Sequence, residues 1–130
     1  MNNKAPTIES DGWTLISALT CHRANPDSFE IPSKTAREQL QPGDAVKLLF
    51  DIETKESGKL IDRGIDRMWV IVKCRMESGY VGVLDNDPGA AENLRLRESD
   101  TIIFRPEHVA AIDYPPRAYV LEKYGSDFFD

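Results

Sequence analysis

Hydrophobic runs long enough to cross a bilayer are missing from this chain. Met68–Val72, and Ala45–Phe50 with Lys47 inside it, fall far short of the roughly 20 apolar residues a membrane helix needs. Cysteine is nearly missing as well: Cys21 and Cys74 are the only two, too few for a multi-cysteine zinc site. A domain of this size needs no disulfide to complete its core, so free thiols are expected. The two histidines, His22 and His108, lack ligand-type spacing, and neither a metal nor a cofactor is expected. The first residues run into Glu9, Ser10 and Asp11 rather than into the apolar stretch of a secretory signal, which predicts a cytoplasmic protein.

Bases are in the minority, 16 against 22 acids, for a net charge of −6. That field repels phosphate backbones and favours encounter with basic partners, so a nucleic acid is disfavoured as ligand. Arg63, Arg67, Lys73 and Arg75, or Arg95, Arg97 and Arg105, are the candidate local basic patches against that mean. With 130 residues, 41% of them apolar and 29% charged, the composition is that of one globular domain able to bury about two-thirds of its unfolded surface.

Residues 1–10 are polar and carry Pro6, which predicts a mobile leader ahead of a single domain over 11–130. Leu15, Ile16, Ala18 and Leu19 fit a helix over 14–23, although Leu15, Leu19 and Cys21 also suit a strand. Asn25-Pro26-Asp27 reads as a turn and Phe29–Ile31 as a short extended piece. Ser33 is placed to cap a helix over 34–40 that Pro42-Gly43 ends. Strands are expected over 45–52, 68–76, 80–84, 101–104 and 109–113. In the second of these Met68, Val70, Val72, Cys74 and Met76 share one face. Residues 54–64 and 85–93 read as polar connections, and Glu77-Ser78-Gly79 as a hairpin turn.

Leu40-Gln41-Pro42-Gly43-Asp44-Ala45-Val46 is echoed by Leu96-Arg97-Glu98-Ser99-Asp100-Thr101-Ile102. Leucine, aspartate and a β-branched residue fall at matching offsets. The physical reading is a tight turn in which aspartate bonds neighbouring amides before a buried strand, as in small barrels. The fold class predicted from all this is α+β: a small antiparallel β-barrel or curled sheet of four to five strands with one or two flanking helices.

Phe29-Glu30-Ile31-Pro32-Ser33, Leu40, Pro42-Gly43-Asp44, Val46-Lys47-Leu48, Phe50, Arg67-Met68-Trp69-Val70, Tyr80, Gly82, Leu84-Asp85-Asn86-Asp87-Pro88, Phe104 and His108 together form a pattern over roughly 26–114. It resembles the YegJ-type bacterial domains of unknown function and is similar to immunity-protein-like domains that accompany polymorphic toxins. The resemblance implies a bacterial protein and brings no reaction or catalytic residue.

Asp85-Asn86-Asp87-Pro88-Gly89 opens like a calcium loop, but Leu96 stands where a bidentate glutamate is needed, and an Asx-rich turn is the better reading. Histidine titrates in the range of a proton carrier, so His108, beside Arg105 and Glu107, could move a proton, but a surface or structural histidine is the better reading. Trp69, flanked by Arg67, is either core or an aromatic anchor for a partner. In the tail, Tyr119, Leu121 and Tyr124 fit a packed helix imperfectly, and Phe128-Phe129 suggest contact with a second chain.

The function these features predict is a non-enzymatic protein-binding module, in its sharper form an immunity-type protein that binds a basic toxin. A homodimer is a second form of protein partner. The candidate contacts are Arg67, Trp69, Asp85, Asn86, Asp87, His108, Phe128 and Phe129. Two other classes compete. An enzyme would need Arg67, Asp85, Asp87 and His108 to converge in a cleft, and an RNA-binding barrel would show affinity that falls steeply with salt.

Overall fold

Each strand carries an apolar face, and burying those faces against one another curls the sheet. A computed structural model describes residues 5–86 and 96–130. In chain order the elements are α1 (Ile8–Asp11), β1 (Trp13–Ile16), α2 (Ala18–Ala24), α3 (Lys34–Glu38), β2 (Ala45–Glu56), β3 (Lys59–Met76), β4 (Gly79–Leu84), β5 (Thr101–Phe104), a 3-10 turn (Pro106–His108), β6 (Val109–Asp113) and α4 (Arg117–Tyr124). The class is α+β, and the sheet is antiparallel throughout.

β3 lies along one edge of β2 for its whole length. The opposite edge of β2 is shared by two short strands set end to end, β6 on Ala45–Leu48 and β1 on Leu49–Ile52. β4 and then β5 continue the sheet beyond β3. Val46, Leu48, Phe50, Val70, Val72, Leu84, Ile102 and Val109 are fully shielded on the concave side. The roll is a half-barrel: the path ends at β5, which pairs with β4 and not with β1 or β6.

Three expectations are corrected. Residues 13–16 form a strand rather than the start of a helix, because Trp13 turns inward against Phe50, ring centroids 5.5 Å apart. The helix begins only at Ala18, where the Ser17 hydroxyl accepts from the Thr20 amide. Residues 54–64 are not a loop: β2 and β3 run on as a two-stranded ribbon that turns at Ser57-Gly58, both at positive φ (52° and 79°), the backbone that a tight hairpin requires. Cys74 does not share the inward face, because the ladder passes from Val72↔Gly82 to Cys74↔Val81 and leaves Lys73 as an extra, unpaired residue. Cys74 is consequently exposed. The expected curled antiparallel sheet is there, with six strands and four short helices around it among the described residues. Ahead of β1, Thr7 caps α1, and the Thr14 hydroxyl donates to the Pro6 carbonyl at 2.9 Å.

The sequence echo is a repeated structure. Asp44 accepts from the Gln41 amide at 2.8 Å and Asp100 from the Arg97 amide at 2.8 Å. Each turn then clamps the neighbouring strand by the same pair of bonds. Gly43 N–H donates to Val72 C=O and Val72 N–H to Asp44 C=O; Ser99 N–H donates to Leu84 C=O and Leu84 N–H to Asp100 C=O. The third turn position needs positive φ, which Gly43 adopts at 95° and Ser99 at 74°. A non-glycine residue there costs about 1 kcal/mol. Ser99→Gly is therefore expected to raise the melting temperature by about 2–4 °C; an unchanged or lower value in a thermal melt counts against this account of the turn.

Candidate functional site

Because β5 and β1 are not bonded to each other, an open seam runs between their free edges. On β5, Ile102 and Phe104 are buried, and Phe104 stacks on Tyr80 with centroids 5.3 Å apart. Pro106 then ends the strand, and the 3-10 turn swings His108 back toward the seam. The Arg105 amide donates to His108 Nδ1 at 2.9 Å, so the neutral ring carries its proton on Nε2. Burial holds the imidazole below its ordinary pKa and Arg105 adds to that, while Glu107 opposes both.

Pro6, Thr14, Leu15, Met76, Ser78, Ile103, Phe104, Arg105 and His108 line a cavity of ≈ 120 Å³ in this seam. Met76, Ser78 and Gly79 also line an open groove of ≈ 550 Å³ whose other walls are Glu38, Arg75, Glu77, Tyr80 and Pro106. The groove floor is rigid. Tyr80, 1% exposed, donates to the Arg37 carbonyl at 2.9 Å and accepts from the Leu40 amide, and the Arg75 guanidinium bonds the Tyr80 hydroxyl and the Glu38 carbonyl. Arg37, the one buried charged residue described, ties α3 to the 3-10 turn by donating to the carbonyls of Pro32 and Pro106. The carboxylates of Glu38 and Glu77 enter no ion pair among the described residues.

On the convex side of the sheet a second apolar cluster forms under α4 and the tail: Ala45, Ile71, Val120 and Phe128, with Trp69, Val83, Tyr124 and Phe129 at its margin. Asp85 fastens it. Its carboxylate accepts from Tyr119 at 2.8 Å, from Tyr124, and from Lys123 at 2.8 Å. Burial pushes the Asp85 carboxyl up, but the bonds from Lys123, Tyr124 and Tyr119 outweigh it and hold the group below its ordinary value. Tyr124 is raised by burial and by the Asp85 carboxylate, and Lys123 is raised chiefly by its bond to Asp85. Lys73, re-aimed by the bulge, lies over the Phe128 ring at 4.5 Å and donates to the Phe128 carbonyl.

The candidate residues are thereby dispersed. Arg67 is exposed and lies over the Phe29 ring at 5.7 Å. Trp69 is half-buried under Lys47, 5.0 Å from its ring centre. Asn86 accepts from the Trp69 amide and the Asp85 amide donates to the Trp69 carbonyl, so the pair extends the β3–β4 ladder past Leu84; the rest of the expected Asx-rich turn lies outside the described residues. Asp87, like Arg95, lies outside the described residues. Phe128 is 5% exposed, an internal contact rather than a free anchor, and Phe129 packs on the same cluster over Gly43. Asp85 follows the last residue of β4, whereas His108 lines the cavity together with Gly79, the first, and those two ends of β4 lie roughly 17 Å apart at about 3.3 Å per residue. The seam cavity that His108 lines contains neither Arg67 nor Asp85. Of that candidate basic patch, Arg63 pairs with Asp51 at 3.1 Å and Lys73 and Arg75 bond backbone carbonyls, while Arg67 stays exposed over the Phe29 ring.

Sequence reasoning did not foresee Tyr119, Lys123 and Tyr124 as the partners of Asp85. The signal was there in their poor fit to an apolar helical face. It did not foresee the seam either, since Thr14, Met76, Ser78 and Ile103 come from segments far apart in the chain and share no motif. No group of histidines, cysteines and carboxylates suited to a metal occurs among the described residues, and no helix described is long and apolar enough to cross a membrane. No family model, curated protein or solved structure matches the chain.

Proposed function

We propose that this chain is a non-enzymatic module that binds a protein partner at the seam of its half-barrel. The observation that carries the reading is the pair of free strand edges, β1 and β5, flanking a cavity that opens into a groove. An unpaired edge offers backbone donors and acceptors in a row, which is how strand-adding partners are recognised. The net charge of −6 favours a basic partner, the kind of protein an immunity-type module neutralises. The dispersal of Arg67, Asp85 and His108 weighs against the general acid–base alternative, which needs groups within hydrogen-bond reach of one substrate.

The free edge of the β2–β3 ribbon is poorly suited to a second copy. β3 from Lys59 to Arg67 has β2 on one side and no strand on the other among the described residues, with Leu60 and Ile65 exposed. Two copies related by a two-fold axis perpendicular to the sheet pair each residue symmetrically about one centre. A centre at Asp62 or Asp66 sets aspartate against itself, one at Arg63 sets arginine against itself, one at Gly64 sets Asp62 against Asp66, and one at Ile65 sets Arg63 against Arg67. Like charges directly opposite are destabilising, and charged residues on an edge commonly guard it against self-pairing.

The test is capture of a partner by the tagged full chain. Ser78→Trp, which places an indole over the seam at an exposed turn position, is expected to abolish capture, whereas Tyr114→Ser, remote from the seam, leaves it intact. Equal capture by both variants overturns the reading.

A further inference from the structure

We infer that the seam takes an extended segment of its partner, adding a strand to β5, with one aliphatic side chain seated in the cavity and Lys or Arg on either side of it. This rests on the protein-binding reading above and names the chemistry of the occupant. Three separate features converge on it. The first is size: at ≈ 120 Å³ the cavity is somewhat smaller than the roughly 150 Å³ that admits a benzene. It matches the branched end of Leu or the thioether of Met and is too small for an indole. Its walls suit such a group, since Leu15, Met76, Ile103 and Phe104 supply apolar surface while Thr14, Ser78, His108 and Arg105, the last paired with Glu107 at 3.9 Å, contribute polar atoms.

The second feature is the backbone. β5 has β4 on one side only, and the cavity lies against its free edge at Ile103 and Phe104. An extended chain bonded there would project alternate side chains toward the seam. The third is charge. Where the cavity widens into the groove, the walls carry Glu38 and Glu77 without ion-pair partners among the described residues. Arg75, the base beside them, has its guanidinium committed to the Glu38 carbonyl and to Tyr80. An acidic or phosphorylated segment would meet those carboxylates as like charges, and a basic one as counterions.

The probe is an array of synthetic nine-residue peptides that vary the central residue (Leu, Met, Ala, Trp or Asp) and the flanks (Lys/Arg, Ser or Asp/Glu), read by fluorescence polarisation with the full chain. Leu- or Met-centred peptides with basic flanks are expected to bind, with affinity falling roughly tenfold or more for an Ala centre and weakening with added salt. Ser78→Trp should remove this binding. The pair Glu38→Gln and Glu77→Gln should erase the preference for basic over Ser flanks while the preference for Leu over Ala remains. Affinity that ignores the central residue, or a preference for acidic flanks, overturns the inference, as does binding to no peptide at all. If no peptide binds while Ser78→Trp still abolishes capture of the whole partner, the seam remains the docking surface and only the extended-segment chemistry falls.

Discussion

Asp85→Ala is expected to lower stability by about 3 kcal/mol, because it removes a carboxylate that two tyrosine hydroxyls and a lysine all address and leaves those groups without their acceptor. Asp85 is only 10% accessible while Lys123 is 32% accessible, so the loss resembles that of a largely buried pair rather than a surface one. For a domain of this length the melting temperature should fall by about 10 °C. The near-ultraviolet signal of half-buried Trp69, which packs beside α4, should change with it. The pH dependence follows from the direction of the shift. The folded carboxyl is held below its unfolded value, so its contribution is complete above the ordinary aspartate pKa of about 3.9 and is lost as the pH drops through the folded value. Thermal melts between pH 7 and pH 3 should show the wild-type advantage over Asp85→Asn shrinking only below about pH 4. A melting temperature for Asp85→Ala that stays with the wild type at neutral pH would show that α4 is held by the apolar cluster alone.

Gly82→Ala is expected to be comparably damaging, at about 3 kcal/mol, for a reason unrelated to backbone freedom. A Cβ at Gly82 would lie 2.6 Å from Val70 Cγ1 and 2.7 Å from the Ile71 carbonyl oxygen. One contact is a β-branched side chain with few alternative rotamers, and the other is backbone. β4 has no room to retreat, since it is in register with β3 on one side and β5 on the other. Gly64→Ala is the matched control: nothing lies within 4 Å of a Cβ there, and its stability should stay within about 0.5 kcal/mol of wild type. Denaturant titration of both variants separates the outcomes, and a Gly82→Ala midpoint equal to that of Gly64→Ala would refute the close packing of β3 on β4. Since β4 positions Tyr80 and, through β5, the seam, Gly82→Ala should also impair partner capture, which Gly64→Ala should not.

The ribbon of β2 and β3 shows why part of this fold could not be read from the chain alone. In the ribbon formed by Thr54–Glu56 and Lys59–Asp66, Lys55, Lys59, Leu60, Asp62, Arg63, Gly64, Ile65 and Asp66 are all exposed, so residues on both faces meet solvent. No side of them is selected for burial, so no alternation of period two appears; the Ser57-Gly58 dipeptide was the one local cue. The bulge at Lys73 is likewise invisible in sequence, because it is a property of how two strands register and not of either strand. It nonetheless decides that Cys74 faces out and that Lys73 reaches Phe128. The docking of α4 depends on Asp85 meeting Tyr119 and Tyr124, 34 and 39 residues away, and no local pattern encodes a meeting at that separation.

Residue order alone sufficed for the α+β class, for the strands beginning at Ala45, Thr101 and Val109, for the Ser33 cap and for the paired aspartate turns before β2 and β5. Each of these is set by neighbours a few residues apart, through alternation against one buried face or a side chain bonding its own backbone. Tertiary structure alone decided the strand at Trp13–Ile16, the fastening of the tail and the seam between β1 and β5. Those features depend on where distant segments come to rest when the sheet curls, and the curl is set by burying all the apolar faces at once.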